Sequence, residues 1–455
     1  MTPGNRGSFR LHSRLLGDPD VTEHFAGPAQ LQALLDVEVA LADAEAAVGI
    51  IPAQAVGPIE AAGRAELYDA PEIARETADD GNVVIPLVRH LTAAVAAHDP
   101  NAARYVHWGA TSQDILDTAL VLQLRNTIPL VRHHLRRATR AAREQAHHHA
   151  DATMAGRTWL QQATPITFGL KAAGWADALH RTGGRLDTML QAASVLQFGG
   201  AAGTLASLGS HGLEVADALA ARLGLTVPAI PWHAHRDRLT QLGCALGVAM
   251  GTVGKIGRDV SLLAQTEVGE VTERSGSGRG GSSTMPHKQN PVSASVALSA
   301  AGRAPGLVAT LLGAMIQEHE RGVGGWQVEW DTLPDLVQVS AGGARAIADA
   351  LEGLTVHPDR MGSNLDASGG VTTAESVAMA LAESIGKHDA HDMVAAACQQ
   401  AREEGLTVAE ALAKHSTITK HLDPATITDR LSPAAYLGVT HELIARVVSQ
   451  VDDDG

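Results

Sequence analysis

The stretch "GGSSTMPHKQNP" (280–291) sets two hydroxyls, Ser282 and Ser283, shortly before an ammonium, Lys288, and an amide, Asn290. A positioned serine can exchange a proton with carbon, and Lys with Asn can hold a carboxylate and the charge that develops on it. Proton transfer next to a carboxylate is the chemistry this set allows. Asn290 followed by Pro291 reads as an N-cap and first helical residue. A helix is expected to begin there and to turn its N–H groups toward an anion beside Lys288. His287 is a second proton donor or contact within the same loop. Gly276, Gly278 and Gly281 satisfy G-x-G-x-x-G, but no strand precedes them, and Ser282 stands where a P-loop needs its Lys. Nucleotide-binding loops are disfavoured.

Three more stretches cluster polar and aromatic residues where the helical pattern breaks. "VHWGATSQD" (106–114) supplies His107, Thr111, Ser112 and Gln113, and "GRTWLQQATPITFG" (156–169) supplies Thr158, Trp159 and Gln161. "EHERGVGGWQVEWDTLPD" (318–335) supplies Arg321, Trp326 and Trp330. Each has a structural competitor. Thr111 and Ser112 can cap a helix starting near Asp114, His107 can be a core imidazole, and Trp159 can be a packing residue. Arg157 and Glu320 read equally as ion-pair members. No metal site is expected: His147, His148 and His149 are adjacent on a helix and point in different directions.

The elements that must position these groups read as helices. Of 455 residues, 45% are hydrophobic but only 3% aromatic, so the core must be Ala, Leu, Val and Ile, which suits close-packed helices better than sheets. The stripe Leu34, Val37, Leu41, Ala44, Val48 marks the first helix. Long apolar-periodic segments follow at 114–150, 164–194, 236–272, 291–318 and 332–353, the pattern of an elongated bundle whose helices bury apolar faces against other subunits. An all-α protein of three parts is expected: a helical domain at 1–112, a long-helix bundle at 113–354 carrying the loop 275–291, and a small helical domain at 355–455. The net charge of −15 lacks the clustered basic face that nucleic acid requires. Two distant cysteines, Cys244 and Cys398, fit reduced thiols. "MTPGNRGSFRLHSRLL" has no apolar h-region, and the uncharged run Leu239–Gly254 is shorter than the ~20 residues of a membrane span. A cytoplasmic, cofactor-free protein acting on a small anionic molecule is the expectation.

On these motifs the chain resembles the fumarase/aspartase superfamily. "GSSTMPHKQNP" is similar to its signature loop, "GATSQDILDTA" and "GRTWLQQATPITFG" to its first two conserved regions, in the same order along nearly the whole chain. The resemblance implies an almost all-α homotetramer with each site built from three subunits. It also implies proton abstraction beside a carboxylate, an aci-carboxylate intermediate and loss of a β-leaving group, or the reverse addition. A loop serine would be the base, with Ser282 preferred over Ser283, and Lys288 and Asn290 would hold the substrate carboxylate.

One position departs from the pattern. Members that expel amines read G-R-T-H in the second region, and this chain has Trp159. An indole gives up no proton near neutral pH. A carboxylate leaving group, with a pKa of ~4, needs none. Closure of a muconate to a lactone is such a reaction, and "GRTWLQ" with "GVGGWQVEW" resembles the superfamily's lactone-forming branch. A tricarboxylate substrate would then meet Lys288, Asn290, Thr111, Ser112, Gln113 and Arg321, with the aromatic rings as an apolar wall. The alternatives are an amine-expelling lyase that takes its proton from His107 or His287, and a non-catalytic homologue.

Overall fold

The computed structural model describes residues 12–274, 280–281, 285 and 288–450. Helices account for 71% of it, which makes the chain all-α, as its composition requires. Ser282, Ser283 and His287 lie outside the described residues.

Long helices dominate: Ser112–His148, Phe168–Ala193, Asp237–Leu263, Val292–Ala314 and Gly325–Glu352. Their starts and ends differ from the periodic segments in a physically readable way. The pattern at 236–272 overshoots, because residues after Leu263 turn into the two-residue strand Val271–Thr272, which pairs with Thr355–Val356. The segment expected to be helical from 164 starts at Phe168, where Thr167 Oγ1 accepts from the Leu170 amide. Ahead of it, residues 153–167 form a β-hairpin, with β1 Thr153–Thr158 antiparallel to β2 Gln161–Thr167. The burial of β1 does not alternate, since Met154, Ala155 and Gly156 are all buried, so no period of two announced it.

By compactness the chain falls into two units: Met1–His134, Thr182–Gly254 and Val296–Arg345 in the first; Leu135–Arg181, Lys255–Ser295 and Ala346–Gly455 in the second. In the first unit the Gly27–Val48 helix buries Leu31, Leu34, Leu35, Val37, Leu41 and Ala44, and with them two carboxyls, Glu38 and Glu45. Gly49, at φ 84°, ends that helix in the left-handed conformation that glycine adopts freely. The helix core relies on small residues: a Cβ on Gly247 would come within 2.7 Å of Val308 Cγ2. A fully buried Arg236 is held by Asp117 (2.6 and 2.9 Å) and Glu329 (2.5 to 3.0 Å), over the Trp232 ring. In the second unit, Val377, Leu381, Ala390, Ala397, Ala411, Leu412 and Ile418 centre a core cluster confined to residues 374–427. The Val408–Lys414 helix there opens on a Thr407/Glu410 capping box.

Among the described residues two helices, Asp237–Leu263 and Val292–Ala314, meet the length and composition of a membrane span, although the sequence showed no uncharged run of that length. The apolar window of the first is 61% buried and that of the second 28%.

Candidate functional site

In the first unit the segment ahead of the Ser112–His148 helix folds around Asp114. This carboxylate is 1% exposed and accepts four bonds: from Gly199 N (2.9 Å) and His233 Nε2 (2.7 Å) on one oxygen, from Gly200 N (2.9 Å) and Thr111 N (3.0 Å) on the other. A buried charge so fully bonded is a structural anchor, and it pins the 199–200 turn against the helix start. Gly109 takes φ 76°, and a Cβ there would lie 2.6 Å from Leu208 Cδ2, so only glycine lets the strap pass.

Arg321 meets this strap. Its Nη1 donates to Thr111 Oγ1 (3.0 Å) and its Nη2 to the Ala201 carbonyl (3.0 Å). Thr111 therefore acts as an acceptor for a guanidinium. His107, in left-handed backbone at φ 56°, bonds Glu38 through Nδ1 at 2.7 Å. Burial pulls its imidazole down, but the Glu38 charge and hydrogen bond, aided by Asp114, leave it raised above the usual value. The structure thus joins Thr111 to Arg321 at the start of the Ser112–His148 helix, with His107 a few residues earlier paired to Glu38.

Two nominations take other places. Gln113 is fully buried and donates its amide hydrogens to Asp117 (3.1 Å) and the His233 carbonyl (2.9 Å), so it serves the core and not a ligand. Trp326 is buried, donates Nε1 to Asp117 (3.2 Å) and stands edge-on to Trp330. It belongs to the Arg236 network. Burial, with Asp117 adding to it, pushes the Glu329 carboxyl above its usual range despite Arg236.

The second unit holds the other group. Trp159 and Leu160 form the two-residue tip of the hairpin, at φ 53° and 64°, and are 95% and 74% exposed. Thr158 and Gln161, the pair that closes the turn, are exposed as well. Gly156 forms an irregularity in β1, and a Cβ there would stand 2.6 Å from the Thr164 carbonyl oxygen. Arg157 is an ion-pair member: Glu270, fully buried, accepts from it at 2.6 and 2.9 Å.

Lys288 is exposed, its backbone N–H donating to the Met285 carbonyl (3.1 Å). Asn290 folds back on Gly280, giving it both its backbone N–H (2.9 Å) and its Nδ2 (3.1 Å). The helix begins at Val292, one residue later than expected. Its first-turn amides at Ser293 and Ala294 donate to an anion of the protein, the Glu273 carboxylate (2.9 and 2.8 Å). The expected anion site at that helix end is filled from within, while Lys288 keeps its exposed position in the loop ahead of it. Sequence reasoning missed Glu273, Asp114 and Glu270; each is a lone carboxylate whose partners are remote or backbone, so no motif marks it.

Comparison with known proteins gives concordant results. A family model described as Lyase matches residues 18–306, and one described as Adenylosuccinate lyase C-terminus matches residues 370–447. The chain is 50% identical to a 3-carboxy-cis,cis-muconate cycloisomerase of Bradyrhizobium diazoefficiens, over 93% of this chain and 94% of that one. It is 50% identical to another of that name from Pseudomonas aeruginosa, over 94% and 93%. The crystal structure of a 3-carboxy-cis,cis-muconate lactonizing enzyme from Pseudomonas putida superposes with a TM-score of 0.92 at 45% identity, covering 97% of this chain and 98% of that one.

Proposed function

We propose, from the premise that the chain belongs to the Lyase family and with it to the fumarase/aspartase superfamily, that it closes 3-carboxy-cis,cis-muconate to 4-carboxymuconolactone in protocatechuate breakdown. It is an enzyme of the cycloisomerase kind. A carboxylate oxygen of the substrate adds to a double bond, and the electron pair moves to the neighbouring carbon, whose own carboxylate takes the charge as an aci-carboxylate. A proton then reaches that carbon. Substrate and product are isomers and nothing departs. In reverse the leaving group is a carboxylate, already stable as an anion at a pKa of ~4, so the enzyme need not protonate it.

The observation that carries this reading is the placement of Trp159, 95% exposed at a turn tip where amine-expelling relatives have His. It is not a packing residue of its own chain, and its indole offers an apolar face for a flat diene. Ser282 or Ser283 delivers the proton to carbon in the lactonising direction and removes it in reverse. Lys288 and Asn290 hold the carboxylate on which charge develops. Arg321, Thr111, Ser112 and His107 receive the remaining carboxylates, with Thr158, Gln161 and His287 as further contacts. No cofactor enters this scheme.

A homotetramer with shared sites fits two features. The nominated residues are divided between the two units, and the apolar Val292–Ala314 helix leaves most of its window uncovered. The three-part division at 112 and 354, a cytoplasmic location, and the absence of nucleic-acid or membrane partners complete the reading.

Parallel assays test it. Purified protein should bleach the diene absorbance of 3-carboxy-cis,cis-muconate and leave adenylosuccinate untouched; the reverse result would establish an amine-expelling lyase. Replacing the base serine by Ala should lower kcat by about 10²-fold or more. Undiminished activity in both single variants and in the double variant would exclude serine chemistry and, with it, this mechanism.

A further inference from the structure

Trp159 and Leu160 are the only adjacent pair of non-glycine residues with positive φ among the described residues. A two-residue hairpin turn with both φ positive favours Asn-Gly, because side chains with a Cβ are crowded there. A bulky Trp-Leu pair adopts it against that preference, and neither side chain recovers the loss by packing in its own chain, being 95% and 74% exposed. Strain of this kind persists where surrounding structure enforces it.

The enforcing structure is a closed bracket just behind the tip. Arg157 on β1 and Gln162 on β2 are cross-strand partners, one step back from the Thr158–Gln161 pair that closes the turn. Arg157 is gripped at two points by Glu270, which is fully buried. The Oε1 of Glu270 also accepts from Asn364 Nδ2 (2.8 Å), on the Pro358–Asp366 helix. The backbone carbonyl of that same Asn364 accepts from Gln162 Nε2 (3.1 Å). Its Nδ2 reaches the Val268 carbonyl as well (2.8 Å). Asn364 therefore ties both strands of the hairpin to the body of the unit, β1 through its side chain on the Arg157–Glu270 pair and β2 through its backbone carbonyl.

The geometry points to Asn364 as a positioning residue for the reaction, holding Trp159 and Leu160 as one preformed apolar contact for the conjugated part of the substrate. This rests on the lactone-forming reading proposed above. A contact set in place before the substrate arrives costs nothing to order during binding, and an error of about 1 Å in such a contact can lower rates by as much as 10²-fold. Leu160 is then a specificity residue in its own right, and the polar turn that stability would favour is absent because it would remove that contact.

The test is a double-mutant cycle with a spectroscopic control. Asn364→Ala is expected to lower kcat/KM for 3-carboxy-cis,cis-muconate about 10-fold in the wild-type background and by less than about 2-fold in a Trp159→Gly/Leu160→Gly background. Equal losses in both backgrounds, or no loss in the first, would overturn the assignment. Leu160→Gly, which needs no bracket, should raise the Tm yet lower kcat/KM about 10-fold; unchanged or higher activity contradicts the role given to Leu160. Protein labelled with 5-fluorotryptophan supplies a readout that needs no turnover. The Trp159 resonance, identified by its loss in Trp159→Phe, should shift or broaden in Asn364→Ala, and an unmoved resonance overturns the bracket. A wild-type protein inactive on the muconate would sink the proposed reaction, while the fluorine spectrum would still decide whether Asn364 holds the tip.

Discussion

The Asp114 cluster and the Trp159–Leu160 hairpin tip carry nominated residues in opposite ways. Around Asp114 the carboxylate itself is enclosed and fully bonded: it takes four hydrogen bonds, and Arg321 reaches Thr111 across the strap. At the tip, two apolar side chains stand in solvent on strained backbone. The first arrangement gains stability from what it buries. The second gives stability up, and under the reading proposed above its return is a contact with the substrate. Among the motif residues, Gln113 and Trp326 belong to the buried support while Trp159 stands exposed, a division that burial shows and sequence does not.

Substitutions can break or sharpen that contrast. The largest effect is expected at Asp114→Ala, which leaves the buried Gly199 and Gly200 N–H groups, the Thr111 N–H and the His233 ring unanswered. A loss of roughly 3–5 kcal/mol in denaturant unfolding is expected, and a loss below about 1 kcal/mol would show that the cluster is not an anchor. Trp159→Ala should do the converse. Helix content by circular dichroism stays unchanged while kcat/KM for the muconate falls about 10- to 100-fold, the value of one well-buried aromatic contact. A variant that unfolds would move Trp159 from the contact class to the support class.

Glu45 tests the support by pH. It is fully buried beside Glu38, and burial, with that neighbouring charge, pushes its carboxyl up to about 9 from an ordinary 4.5. Its folded pKa is raised, so its contribution is complete below about 4.5 and drains away as pH climbs toward about 9, while the unfolded chain ionises and the folded one keeps its proton. Glu45→Gln, neutral and nearly isosteric, should therefore raise the Tm at pH 8 more than at pH 5. An equal shift at both values would mean that the carboxyl ionises freely in the fold. The smallest effect is expected of Trp159→His. Restoring the residue of the amine-expelling relatives at the tip leaves Gly324, Gly325 and the rest of the 318–335 segment unaltered, so adenylosuccinate cleavage should stay below detection. A large gain would place reaction choice at the tip alone.

Much of this was legible in the chain. The long helices follow from periodicity and an aromatic-poor composition, and the loop 280–291 with the 106–114 and 156–169 stretches marked the superfamily. Arg157 was readable as an ion-pair member, but its partner Glu270 lies 113 residues away with no spacing to announce it. Gln113 sits in a motif between two site-like residues, and only its burial reveals that it faces the core. The hairpin escaped notice because β1 is buried on consecutive residues and because Trp-Leu carries none of the usual turn chemistry. The helix end near Asn290 was expected to face a bound anion, but its amides at Ser293 and Ala294 bond Glu273, seventeen residues upstream of Asn290; a backbone-bonded carboxylate leaves no signature in sequence.

The central claim is an intramolecular addition whose attacking group is a carboxylate and whose only proton goes to carbon. Running the reaction in D₂O and following the product by proton NMR and mass tests it most directly. The account predicts a single lactone that retains every heavy atom of 3-carboxy-cis,cis-muconate and carries one deuterium at the newly protonated carbon. Two separate products, or a lactone without solvent deuterium, would contradict it.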